Sequence, residues 1–330
     1  MFDSCYNLSA MILITGGTGF IGNNLIRHLS DLGYPLKLLI RPSDHSPNLP
    51  KGLPLDVTVA GLQDERGLRA AMKGVDIVYH LASAEAEGRM AHLNEVDIQG
   101  TLAITRAAKQ ANVNQIIYLS QLGADRASAY PLLKAKGIAE NFIRQSGIPY
   151  TVFRSAIAYG EGDHFTTNLF RLLKRSPGLV FLPEQGRTQL QPIWVEDLVT
   201  VLTWALDMPG TIDETIEIGG PEYLSFRAIC DLVANATGLK RAYVDISPIA
   251  LNIVTEFMEI LRPGFPTSVF WLDYLATDRT TSLDTLPTRF DLLPAKMSQR
   301  LGYLKGIKIR KPARRSKSRA RKSSKGKKTS

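Results

Sequence analysis

The sequence predicts a doubly wound α/β fold of the Rossmann type, with a parallel sheet, a small mixed C-terminal lobe and a basic tail. Three observations carry that prediction. Short Ile/Leu/Val-rich runs alternate with amphipathic stretches from Met11 to Gly220, which implies a parallel sheet with helices on both faces. Several of these runs are continuously apolar, as strands covered on both faces are. The first of them passes through Gly16, Gly19 and Gly22 into a helical stretch. A strand, a glycine turn and a helix in that order form the context in which a glycine pattern points to a dinucleotide cradle.

Each element follows in order. Met11–Thr15 is the first strand, and Asn23–Ser30 reads as a helix with Leu25, Ile26 and Leu29 inward. Gly16 allows the tight turn, Gly19 lets backbone approach a pyrophosphate, and Gly22 lets helix and strand pack closely. Amides at the helix start meet phosphate charge, so Gly16, Thr18, Gly19, Phe20, Ile21 and Gly22 are the expected cofactor-binding residues of the turn. Leu36–Ile40 is the second strand and ends at Arg41. An acid there would bind a ribose 2′-hydroxyl, whereas an arginine suits a 2′-phosphate. Arg41 therefore favours NADP(H), with NAD(H) kept open by Asp44 three residues on.

Val57–Ala60 is a third strand, Asp64–Met72 a helix, and Asp76–His80 a fourth strand running into Leu81-Ala82-Ser83. Leu93–Gln110 has the period of one long helix, and Ile116–Ser120 is the fifth strand. A helix then runs from Pro131 toward Gly147, a glycine placed to end it. Tyr150–Arg154 is the sixth strand, and Ala158–Asp163 is a flexible loop opening the substrate side. His164–Arg175 reads as a helix, Leu179–Leu182 as a strand, Val199–Leu206 as a helix, and Glu217–Gly220 as the last strand of the main sheet. Beyond it come a helix over Tyr223–Gly238 and a strand at Val244–Ile246. Ile249–Leu261 is an amphipathic stretch, followed by an apolar wall of Pro263, Pro266, Phe270, Trp271 and Tyr274.

The pattern divides the chain into a flexible extension (1–10), a dinucleotide-binding domain (11–222, with 161–190 contributing to the substrate side), a small lobe (223–304) and a tail (305–330). Charge follows the same division. The net charge is +9, yet thirteen Lys and Arg and no acid lie between Lys305 and Ser330; without them 27 basic face 31 acidic side chains, a net −4. Such a tail lacks apolar residues to bury and is expected to be disordered. It reads as a solubilising segment with weak polyanion affinity, open to a protein partner or an anionic surface. Without aromatics it is not built for sequence-specific nucleic-acid binding. The two thiols, Cys5 and Cys230, show no C-x-x-C, so a reduced cytoplasmic setting is expected, with peripheral membrane contact through the tail as an option. No apolar run reaches the length of a spanning helix, and the five histidines show no ligand spacing, so no transmembrane segment and no metal are expected.

TGGTGFIG, spaced G-x-x-G-x-x-G, resembles the short-chain dehydrogenase/reductase superfamily in its extended and atypical, epimerase-like branches. LSQLGA over 119–124 and QPIWVEDL over 191–198 resemble the subgroup similar to an accessory subunit of respiratory complex I. The resemblance implies a backbone contact from Ala82 to the adenosine side. The family's usual acid after strand three is missing from Ala60-Gly61-Leu62, leaving Asp64 as the nearby candidate. It also implies a Ser-Tyr-Lys site: Ser120 at the end of the fifth strand, then Tyr130 and Lys134 in Y-x-x-x-K spacing. Four residues along a helix put two side chains on one face, about 6 Å apart along the axis. An ammonium there favours the phenolate, whose free phenol titrates near ~10. Lys134 is also expected to hold the nicotinamide ribose, and Ser120 to orient a substrate oxygen.

Three positions depart from that pattern: Asp97 in EVDIQGT stands where many relatives have Asn, Pro131 follows the tyrosine, and Ser155 replaces a proline. The leading expectation is an NADP(H)-preferring oxidoreductase or epimerase-like enzyme acting on a small apolar carbonyl or hydroxyl compound. The alternative is a non-catalytic NADPH-binding accessory, assembly or sensor protein.

Overall fold

The computed structural model describes residues 9–43, 46–176, 178–247, 250 and 274–307. In chain order its strands are β1 (Ile12–Thr15), β2 (Leu36–Ile40), β3 (Leu55–Val59), β4 (Ile77–His80), β5 (Gln115–Gln121), β6 (Tyr150–Ser155) and β7 (Ala158–Tyr159). They continue as β8 (Leu179–Pro183), β9 (Gln189–Leu190), β10 (Ile193–Trp194), β11 (Glu214–Ile218), β12 (Leu224–Ser225) and β13 (Ala242–Ile246). The helices are α1 (Phe20–Asp31), α2 (Glu65–Met72), α3 (Gly100–Gln110), α4 (Pro131–Arg144), α5 (Phe165–Arg175), α6 (Val195–Trp204) and α7 (Phe226–Thr237). Two short ones follow, α8 (Thr285–Phe290) and α9 (Met297–Arg300).

Seven strands form one sheet in the order β11-β6-β5-β4-β1-β2-β3, every neighbouring pair parallel. The order reverses between β1 and β4, so the crevice at their C-terminal ends is where such a sheet receives ligands. Side chains alternate across it. Ile12 and Ile14 join α1 and α6 in one core with Leu25, Leu29, Leu198 and Leu202. Leu13, between them, joins α2, α3 and α4 in the other, with Leu68, Ile104 and Ile143. Covering on both faces explains why these strands are apolar throughout.

A third core belongs to the lobe. It gathers Phe165, Leu169 and Leu173 of α5, Val180 and Leu182 of β8, Ile229 and Val233 of α7, and Met297, Leu301 and Leu304 near the C-terminal end of the described chain. The chain then crosses back before finishing: Phe290 of α8 lies 6.2 Å from the Phe153 ring, centroid to centroid, inside the core of the main sheet.

Most expected elements appear within a residue or two, and the differences have local causes. The long helix expected over Leu93–Gln110 is two pieces, a π-helical stretch over Asn94–Gln99 and then α3. The Ala158–Asp163 loop is not loose but pinned. The buried Asp163 carboxylate accepts from the Gly160, Thr166 and Thr167 amides and from the Thr166 and Tyr303 hydroxyls. The last main-sheet strand lies earlier than expected, at Glu214–Ile218, and Gly219-Gly220 lies beyond its end. The amphipathic stretch over Ile249–Leu261 apart from Ala250, the wall from Pro263 to Trp271, Met1–Leu8 and the tail from residue 308 onward lie outside the described residues. Among the described residues no helix is long and apolar enough to cross a membrane.

Phe290 is 3% exposed and fills the space beside Phe153. Phe290→Ala is expected to lower the unfolding free energy by about 3 kcal/mol, the usual cost of a buried Phe→Ala change. Urea unfolding of the full chain measures it.

Candidate dinucleotide site

The glycine turn is fixed by close approach. A Cβ on Gly22 would lie 2.3 Å from the Gly16 carbonyl oxygen and 2.8 Å from the Gly17 Cα, so helix and turn touch through backbone. Gly16 has φ +74°, and a Cβ there would sit 2.6 Å from the Leu81 carbonyl carbon. Gly19 differs: it is the N-cap of α1, is exposed, and meets only the Gly16 oxygen. No side chain caps α1 and no acid occupies its first turn. The amides of Phe20, Ile21 and Gly22 therefore lack helical partners, and they open beside exposed Thr18 and Gly19. These residues fit a diphosphate.

Two more of the expected contacts surround this turn. Ala82 follows β4, and its amide donates to the Thr15 hydroxyl at 3.3 Å, which presses this loop against Gly16. Arg41 leaves β2 beside the turn and pairs with Glu87, Nη1 to Oε1 2.6 Å. Asp64 is the N-cap of α2, and its carboxylate accepts from the Arg66 and Gly67 amides at 3.1 and 3.0 Å.

Helix α4 carries two residues of the expected Ser-Tyr-Lys site. Tyr130 is its N-cap, half-buried, with Pro131 at the first helical position. Lys134 is exposed, whereas Lys136 and Glu140 are buried. Two residues along a helix is about 200° of rotation, so Lys134 and Lys136 point to opposite sides. Ser120 reaches α4 on the buried side: its hydroxyl donates to Glu140 Oε1 at 2.6 Å. The Ser120 hydroxyl is thus held on the buried side of α4, while Lys134 is exposed. The buried lysine has Leu132, also buried, one turn before it.

Lys136 and Asp97 make a buried ion pair, Nζ to Oδ1 3.2 Å, with side chains 6% and 0% exposed. The other Asp97 oxygen accepts from the Ala84 amide at 3.0 Å. Burial alone lowers a lysine pKa, but Tyr118, Asp97 and Glu85 together outweigh it and hold the Lys136 ammonium above the usual range. Tyr118 is pushed up to about 12, chiefly by burial. His80 bridges Thr15 and Thr101, 2.7 Å and 2.9 Å from its two ring nitrogens, and Thr101 donates to the Asp97 carbonyl. Burial, then Lys136, lowers the His80 pKa to about 3, so its ring is neutral at ordinary pH. One polar chain therefore runs from the glycine turn to α4.

Glu140 anchors the far side. It accepts from Ser120, from Arg144 at 2.7 Å, and from two nitrogens of Arg154 at 2.9 and 2.8 Å. That fork raises the Arg154 pKa further.

Comparison with known proteins bears on the domain that carries the cradle. A family model for NAD(P)H binding matches residues 16–169. Residues 16–169 are an NAD(P)H-binding domain. The chain is 27% identical over 304 residues to the NADH dehydrogenase [ubiquinone] 1 alpha subcomplex subunit 9, mitochondrial, of Arabidopsis thaliana, covering 86% of this chain and 74% of that protein. It is 30% identical over 192 residues to a ceramide reductase of Caulobacter vibrioides, 58% of this chain and 59% of that protein. Its fold matches a Thermus thermophilus UDP-glucose 4-epimerase solved with NAD, at TM-score 0.68 and 20% identity, over 90% of this chain and 98% of that one.

Lys136, Glu140 and Glu87 escaped sequence reasoning. For the first two the signal was present. Leu132, Lys136, Ala139, Glu140 and Ile143 form the inward stripe of α4, and a charged residue on such a stripe needs a buried partner. Glu87 lay in a stretch without periodicity.

His80 supplies a test of the polar chain. Its folded pKa of about 3 lies below the ordinary 6.5, so the unfolded chain binds the extra proton between these values and stability falls as pH falls. Between pH 7 and 5 the loss from this group is expected to be about 2 kcal/mol. Urea unfolding across that range checks it, and His80→Gln, less stable at pH 7, is expected to show a flatter profile.

Proposed function

We propose that this chain is a non-catalytic NAD(P)H-binding accessory or assembly protein, in which the bound dinucleotide stabilises a surface that another protein reads. The observation that carries this reading is the buried lysine of α4. Lys136 is charge-paired with Asp97 and has Leu132, not a tyrosine, one turn before it. The Ser120 hydroxyl is engaged by Glu140, and Lys134 is turned to solvent. A general acid has to reach the substrate with a pKa near the working pH, and the phenol closest to Lys136, Tyr118, is held far above it. Likeness to a complex I subunit supports a life inside an assembly. Arg41 supports NADP(H) as the preferred nucleotide, with NAD(H) as the alternative. The tail 305–330 extends the reading to an anionic surface or protein partner, and a cytoplasmic site, peripheral at a membrane, fits such a partner.

A second reading has its own support. Tyr130 is half-buried at the head of α4, and a relative is named a reductase. On it, the chain reduces a small apolar carbonyl compound with Tyr130 as acid.

One pair of variants separates them. Lys136→Met leaves the Asp97 carboxylate buried without its counter-charge, and is expected to cost about 3–5 kcal/mol of stability by urea unfolding. Tyr130→Phe is expected to change neither stability nor NADPH affinity, with no NADPH oxidation by wild type across a panel of aldehydes, ketones and quinones. Turnover of any of these that vanishes in Tyr130→Phe overturns the non-catalytic reading in favour of the second.

A further inference from the structure

Arg41 and Glu87 reach each other over an unusual path. Arg41 follows the last residue of β2, and Glu87 lies in the short helical turn Glu85–Met90 after β4. These two strands flank β1 on opposite sides: Thr15 pairs with Leu39 in one direction and His80 in the other. Strands one removed from each other lie about 10 Å apart. A contact of 2.6 Å between groups leaving their ends therefore spans the C-terminal end of β1, at the mouth of the Gly16 turn. Glu87 is the better-held end. Its side chain is 23% exposed against 71% for Arg41, and its amide donates to the Ala84 carbonyl at 2.8 Å.

We propose that Glu87 determines nucleotide specificity by competing for Arg41, which brings the affinities for NADPH and NADH close together. This rests on the NAD(P)H-binding reading of the cradle and adds a residue to it. A phosphate on the adenosine ribose needs a cation. Arg41 is the cation at the end of β2, and it arrives already paired with a carboxylate. A phosphorylated ribose has to draw the guanidinium away from Glu87 and then lie near that carboxylate, a like-charge contact. A ribose bearing only hydroxyls leaves the ion pair whole, and its hydroxyls donate to the carboxylate. Arginine favours one nucleotide, glutamate opposes the preference, and the site accepts both.

The test is titration of the full chain with NADPH and with NADH, followed by nucleotide fluorescence. Wild type is expected to bind the two within about threefold of each other. Glu87→Gln frees Arg41, and NADPH is expected to tighten by about three- to fivefold while NADH stays level or weakens, the size an exposed charge pair carries. The gain should shrink in high salt. In Arg41→Gln the additional Glu87→Gln change is expected to give less than half of that gain, since the two groups act on each other. An NADPH-to-NADH ratio that Glu87→Gln leaves unchanged overturns the proposal while the cradle stands. Failure of wild type to bind either nucleotide overturns the dinucleotide reading and the proposal with it.

Discussion

A carboxylate and an ammonium taken out of water have to meet, and much of this molecule is arranged so that Asp97 and Lys136 do. The pair joins the π-helical stretch before α3 to the buried face of α4. An extra residue per turn shifts the phase of a helix, and π-helical turns recur where a side chain needs such re-aiming. Asp97 also receives the Ala84 amide, so the same carboxylate ties down the loop that follows β4. That loop presses on Gly16 through Leu81 and Ala82. A charge pair on one side of the sheet thereby holds the mouth of the cradle on the other. Removing either partner leaves the other charge buried alone, which is far costlier than the pair itself is stabilising.

The cradle depends on a second constraint, absence of side chains. Backbone of α1 touches backbone of the turn at Gly22, and this contact sets the direction in which the uncapped amides of α1 point. Neither constraint is specific to chemistry. A turn that holds a diphosphate serves an enzyme and a sensor equally, because the fold supplies binding and the side chains around the far end supply reaction. The complex I subunit and the ceramide reductase among the relatives are named for different tasks.

How legible this was from sequence differs by level. The main sheet was legible because its strands are buried on both faces and its glycines sit at fixed spacing; β2 appears over the residues expected of it. The single long helix over Leu93–Gln110 failed because a π turn keeps nearly the same apolar pattern as an α turn over six residues. The expected tyrosine and lysine raise a different point. Y-x-x-x-K is satisfied by Tyr130 and Lys134, but spacing alone does not say which face of a helix turns inward. The apolar residues did say so. Leu132, Ala139 and Ile143 place Lys136 on the inner stripe and leave Lys134 outside it. Asp64 shows a related point: an Asp before a helix has a local use as its cap, beside any distant one. Glu87 meets Arg41 across forty-six residues of chain, which no local pattern encodes.

The electrostatics of the far end bear on what such a site is suited to do. An ammonium activates a phenol when its field falls on that phenol unopposed. Lys136 shares its field with Asp97 at 3.2 Å, and its nearest aromatic, Tyr118, lies with its ring centroid 5.5 Å away and is pushed up to about 12. His80, the one other titratable ring in the chain of contacts, is pushed the opposite way, to about 3. Burial drives both shifts away from neutrality, and each leaves its group uncharged across the physiological range. A proton shuttle needs groups that change charge near the working pH. His80 and Tyr118 instead stay uncharged while pH varies across that range, which accords with the non-catalytic reading proposed above.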